Sequence, residues 1–141
     1  LDLFCKSAGT AAGPSILCIR PFLIHGHGFG WEEVWEIDGF ANGVVNGGKP
    51  IPTLGKPRVN HRDGLVHARF TGELKSAVLA YTTADKWKNG ALRTIPCTIG
   101  KGEVIASKPL PGEARAFMIN ARGGGVWNDG CIGSALVPVR R

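Results

Sequence analysis

The sequence predicts a mainly β protein: an immunoglobulin-like β-sandwich of about seven strands, preceded by a strand–loop–helix segment. Three observations lead there. Glycine supplies 21 of the 141 residues, about twice the average usage of ~7%, so the backbone turns often and tightly. Short apolar runs, several of them alternating, recur through residues 57–141 and are separated by Gly, Pro, Asn and Asp clusters. That spacing is the signature of a sandwich. Helical periodicity occurs once, in residues 31–45, and nowhere in the second half.

Residues 1–15 carry little periodicity and read as an irregular lead-in. Ile16 to Ile24, rich in Ile and Leu, reads as a buried strand. Gly26 to Gly30 makes a loop. From Trp31 the apolar positions Trp31, Val34, Trp35, Ile37, Ala41, Val44 and Val45 recur at helical spacing, with Glu32, Glu33, Glu36 and Asn42 largely between them. Acidic residues in a first helical turn suit the positive end of the helix dipole. Asn46-Gly47-Gly48 supplies residues that tolerate the left-handed conformation ending a helix, and Pro50 follows. The strand–loop–helix segment therefore spans residues 16–50. Residues 51–56 read as a linker, because Pro50, Pro52 and Pro57 place three prolines in eight residues.

The sandwich then occupies residues 57–141. Its strands are expected near Arg58 to Asn60, Leu65 to Phe70, Ala77 to Tyr81, Leu92 to Ile99, Glu103 to Ser107, Ala114 to Asn120 and Cys131 to Val139. Arg62-Asp63-Gly64, Thr71-Gly72, Lys88-Asn89-Gly90, Gly100-Lys101-Gly102, Pro109 to Gly112 and Gly123-Gly124-Gly125 mark the turns.

Charge and cysteine content exclude several classes of function. The net charge is +6, yet Lys and Arg are scattered singly and only Arg140-Arg141 are adjacent. Nucleic-acid binding usually shows basic clusters interleaved with aromatics, so no nucleic acid is expected. No apolar run approaches the ~20 residues of a membrane-spanning helix, so no membrane partner is expected either. Cys5, Cys18, Cys97 and Cys131 form no Cys-x-x-Cys pair. They read as buried or half-buried thiols, with a Cys97–Cys131 bridge between sheets as the alternative. Leu1 opens the chain without a methionine, which fits a removed leader or an excised piece and favours a secreted or periplasmic setting.

The strongest chemical signal is His25-Gly26-His27-Gly28-Phe29-Gly30-Trp31-Glu32-Glu33. A strand, a histidine loop and a helix in succession form the local geography of the general base in an α/β-hydrolase. No Gly-x-Ser-x-Gly nucleophile elbow occurs in the chain. Two stretches carry a family resemblance. The first runs from His25 through the helix to Gly47-Gly48-Lys49-Pro50 and Pro52. The second runs from Ala80-Tyr81-Thr82-Thr83-Ala84-Asp85-Lys86-Trp87 through Pro109-Leu110-Pro111-Gly112 to Ala116-Phe117-Met118-Ile119-Asn120. Together, in this order, they resemble the C-terminal region of acetylxylan esterase and dienelactone hydrolase-like α/β-hydrolases, where an immunoglobulin-like domain follows the catalytic core.

The resemblance implies that residues 16–48 are the last strand, histidine loop and final helix of a hydrolase domain, and residues 57–141 its accessory sandwich. It implies His25 as the catalytic base, first after the strand, with His27 the second choice. Such a base takes the proton of a serine hydroxyl and returns it to the leaving group. The nucleophile and oxyanion-hole loop would lie upstream in the family, so the chain is not expected to be an active esterase alone. The parent family's substrate is an acylated carbohydrate or another ester; no cofactor is implied.

Other chemistry was weighed against this. His25 and His27 lie two apart and would point the same way in extended backbone, and His61 and His67 could complete a metal site. No ligand spacing links the four, so no metal is expected. Gly26-x-Gly28-x-Gly30 lacks the Gly-x-Gly-x-x-Gly pattern, and Glu32 and Glu33 would repel a phosphate. Trp87 and Trp127 supply the rival reading, a stand-alone module that stacks them on sugar rings or binds a protein; the bland alternative buries both in the core. The apolar face of the Trp31–Val45 helix is expected to cover one sheet or to form a homodimer contact.

Overall fold

The computed structural model describes residues 36–84, 92–125 and 130–139. The architecture is mainly β, with one helix and nine strands among the described residues. The strand expected at Ile16–Ile24, the His25–Gly30 loop and the start of the helix lie outside them. Helix α1 is Glu36–Val45. It ends where its sequence changes: Asn46 and Gly48 both donate backbone N–H groups to the Asn42 carbonyl, at 3.0 and 3.4 Å, and Gly47 adopts a φ of 65°.

The strands are β1 (Thr53–Leu54), β2 (Arg58–Val59), β3 (Val66–Thr71), β4 (Leu74–Thr82), β5 (Arg93–Gly100), β6 (Glu103–Ala106), β7 (Ala116–Gly123), β8 (Cys131–Gly133) and β9 (Val137–Pro138). All pairings are antiparallel. One layer holds β1 and β2 on β3, then β6 and the second half of β5. The other holds the first half of β5, then β4, β7 and β8, with β9 also on β7. β5 passes from one layer to the other: Arg93 to Pro96 pair with β4, whereas Cys97 to Gly100 pair with β6. The two layers, joined by β5 as it changes sheets, form a β-sandwich.

The core lies between the layers. Val66 and Ala68 of β3, Val104 and Ala106 of β6, Leu79 and Tyr81 of β4, and Phe117 and Ile119 of β7 form one buried cluster. Two turns set the register. Lys101 and Gly102 both take positive φ, 52° and 76°, which gives β5 and β6 a tight two-residue hairpin. The crossing from β3 to β4 passes through Gly72 (φ 80°), where a Cβ would lie 3.0 Å from the Pro52 backbone. Any side chain there would be strained and would collide with buried Pro52.

The structure differs from the sequence expectations at three points. The 51–56 segment is not a bare linker, because Thr53 and Leu54 pair with Thr71 and Phe70. Residues 53–59 are one edge strand broken around Pro57, which has no N–H to give the ladder. The single strand expected over Cys131–Val139 splits into β8 and β9. At the break the buried Ser134 hydroxyl accepts from the Ile119 N–H at 2.8 Å, a bond that a regular ladder would take from a carbonyl. Cys97 and Cys131 are free thiols, half-buried and buried, as expected, and the alternative bridge between them is not formed. The helix, finally, is reversed in its burial: Ile37, Val44 and Val45 are exposed, Val45 by 78%, while Glu36 is 4% exposed.

Candidate functional site

His25 and His27, the catalytic candidates, and Trp87 and Trp127, the sugar-stacking candidates, all lie outside the described residues. Of the sequence-predicted chemistry, His61 and His67 can be placed. They do not come together as metal ligands. Among the described residues no group of three or more His, Cys, Asp or Glu side chains could hold a metal ion.

His67 sits on β3, with its side chain 16% exposed, between two carboxylates. Its Nε2 lies 3.0 Å from Asp63 Oδ2 and its Nδ1 3.4 Å from Glu103 Oε2. The β2–β3 turn builds the first contact. Asn60 and Leu65 close the turn by a 2.8 Å backbone bond, and Gly64 takes a φ of 71°. The Leu65 N–H donates to Asp63 Oδ1 at 2.9 Å, which leaves Oδ2 facing the imidazole four residues on. That backbone bond holds the Asp63 carboxyl below the usual carboxylate range, and His67 acts in the same direction. Register builds the second contact: Arg69 is opposite Glu103, so Glu103 lies diagonally across from His67 on the same face.

Both ring nitrogens of His67 face carboxylates, and among the described residues no hydroxyl or thiol is hydrogen-bonded to His61 or His67. Burial pushes the Cys97 thiol up to about 11, so little of it is thiolate near neutral pH.

Around His67 the sheet face is concave. A hollow of about 440 Å³ is lined by Gly55, Lys56, Arg58, His67, Arg69 and Glu103, over the buried backbone of Ala68. Arg58 lies directly opposite His67 in the β2–β3 pairing, and Arg69 follows His67 by two residues on β3. All three therefore project from one face of the sheet. A second hollow of about 420 Å³ adjoins it at Lys56 and Arg58 and is more apolar, with Pro57, Val59, Leu110 and Val137 in its lining. No known family, curated protein or solved structure matches the chain.

Sequence reasoning missed this surface. Its cations sit at residues 56, 58 and 69, so they read as singly scattered charges. The alternation of β3 does put His67 and Arg69 on one outward face. What brings Arg58 beside them is the register of the broken edge strand, which the prolines of residues 50–57 disguised.

Proposed function

We propose that the chain is the C-terminal part of an esterase-type α/β-hydrolase: the histidine loop and last helix of a catalytic domain, followed by its accessory β-sandwich, without a complete active site of its own. One observation carries the reading. Helix α1 ends at Val45, shortly before Gly47-Gly48-Lys49-Pro50, and its first described residue is joined to the sandwich. Glu36 Oε1 accepts the backbone N–H of Cys131 on β8 at 2.6 Å, across 95 residues of sequence. A buried carboxylate on a main-chain N–H is a costly join to break. It argues that helix and sandwich act as one unit and supports their common origin in a hydrolase.

In this reading His25 is the general base, and removing the other triad members costs about 10⁴- to 10⁶-fold in turnover. The test is to express the open reading frame that contains this chain and to follow acetate release from acetylated xylan. His25→Ala is expected to lower turnover at least about a thousandfold, with His27→Ala much less harmful. Full activity in His25→Ala, or no ester hydrolysis by the whole product, overturns the reading. A second reading, a stand-alone carbohydrate- or protein-binding module, is favoured by the cation-lined hollow over β2 and β3. Retention on polysaccharide by a product lacking esterase activity would select it.

A further inference from the structure

We infer that the paired hollows at β2 bind a uronate-bearing polysaccharide chain, with Arg58 and Arg69 holding its carboxylates and the apolar hollow holding a sugar face. The inference rests on the reading of the sandwich as accessory to an enzyme of acylated polysaccharides.

Charge is the first argument. Lys56, Arg58 and Arg69 are exposed, and among the described residues none of them has an ion pair. The one carboxylate in the lining, Glu103, is turned toward His67. A concave surface lined by one sign of charge concentrates its field and draws in the opposite sign. Residues 49–69 hold Lys49, Lys56, Arg58, Arg62 and Arg69 against Asp63 alone, and Asp63 too faces His67.

Geometry is the second. Arg58 and Arg69 stand diagonally across two paired strands, with backbones about 8 Å apart by strand spacing. Two guanidinium forks on one face can each take a carboxylate bidentately. Successive acidic sugars of one chain present carboxylates repeatedly, whereas a small acid presents one. Beside these forks the lining changes to Val59, Leu110 and Val137, a surface suited to the C–H face of a pyranose ring.

Other polyanions fit less well. Single-stranded nucleic acid stacks its bases on aromatic side chains. Among the described residues lining the two hollows, Phe117 is buried, leaving the imidazoles of His61 and of His67, and the latter is held between carboxylates. Phosphate is typically cradled by free backbone N–H groups, but the Gly55 N–H is already donated to the Arg69 carbonyl at 2.8 Å.

The test is affinity electrophoresis of the 141-residue chain through native gels containing polygalacturonate, neutral unsubstituted xylan or single-stranded DNA. Retardation is expected in polygalacturonate alone and is expected to fade with added salt. The double variant Arg58→Ala/Arg69→Ala should weaken it about tenfold, which corresponds to the loss of two charge contacts. Arg93→Ala, on the other layer, should leave it unchanged. All substitutions are at exposed positions, and unchanged circular dichroism verifies folding. No retardation in polygalacturonate, equal retardation by xylan or DNA, or an unaltered double variant overturns the inference. If acetate release by the whole reading frame still depends on His25, the esterase reading survives that failure.

Discussion

β6 and β7 belong to the same sandwich, yet they meet water differently. β6 alternates: Val104 and Ala106 are buried, while Glu103 and Ile105 are partly exposed. β7 is buried at every residue from Ala116 to Ala121. Phe117, Ile119 and Ala121 face the core shared with β6. Met118 and Asn120 lie on the opposite face, beside Ala80 and Val78 of β4, and Met118 is 1% exposed. The outer face is thus partly wet along β6 and dry along β7 from Met118 to Asn120. The polar groups on the dry face are bonded, as burial requires: the Cys131 thiol donates to Asn120 Oδ1 at 3.0 Å, and Glu36 takes the Cys131 N–H on the outermost strand of that layer. Antiparallel sheets commonly leave one face to water and then alternate, so the burial of β7 on both faces departs from that pattern.

The contrast is broken most directly by a charge on each outer face. Met118→Lys would bury an ammonium with no partner and is expected to cost about 4 kcal/mol, whereas Ile105→Lys should stay within about 1 kcal/mol. Urea unfolding of both variants decides the matter; equal effects would mean that the outer face of β7 is wet. Glu36→Gln comes next. It removes the charge that strengthens the bond to Cys131 and should lower stability by about 1–3 kcal/mol. The wild-type stability in the variant would show that α1 is not anchored to the layer of β7.

Cysteine chemistry sharpens the comparison without changing stability. Cys97 has its thiol raised from 9.0 to about 11 by burial. The thiolate fraction at pH 8 then falls about a hundredfold, and the greater nucleophilicity of the more basic thiolate restores part of it. Iodoacetamide labelling, mapped by mass spectrometry, should find Cys97 about tenfold slower than an unstructured cysteine.

The smallest effect concerns the layer of β6. The depressed Asp63 contributes stability above its unfolded titration range and loses that contribution as pH falls through its lower folded value. Stability measured in acid, below the ordinary carboxylate range, should therefore fall less steeply in Asp63→Asn than in the wild type. Because Asp63 is solvent-exposed the difference will be slight, and salt should shrink it further.

Much of the sandwich was legible in the chain. Alternation located β3, and turn residues located the ends of β5 and β6, because the Lys101-Gly102 hairpin depends only on local backbone preferences. The helix end before Gly47 was legible for the same reason. Of the edge strand the piece at Arg58 was legible and the piece at Thr53 and Leu54 was not, since the prolines around it signal a break whether or not the pieces on either side pair. The Cys131–Val139 segment looked continuous because its interruption depends on a bond between Ser134 and Ile119, 15 residues apart.

The sequence by itself determined the mainly β class, the order of the elements and the glycine-dependent turns, all of which follow from side-chain period and backbone sterics within a few residues. The tertiary structure alone decided that Glu36 is buried and Val45 exposed, that Cys97 and Cys131 stay apart, and that β7 is dry on both faces. It also decided that Lys56, Arg58 and Arg69 share one surface. These outcomes depend on which distant segments meet, and period and propensity carry no information about that.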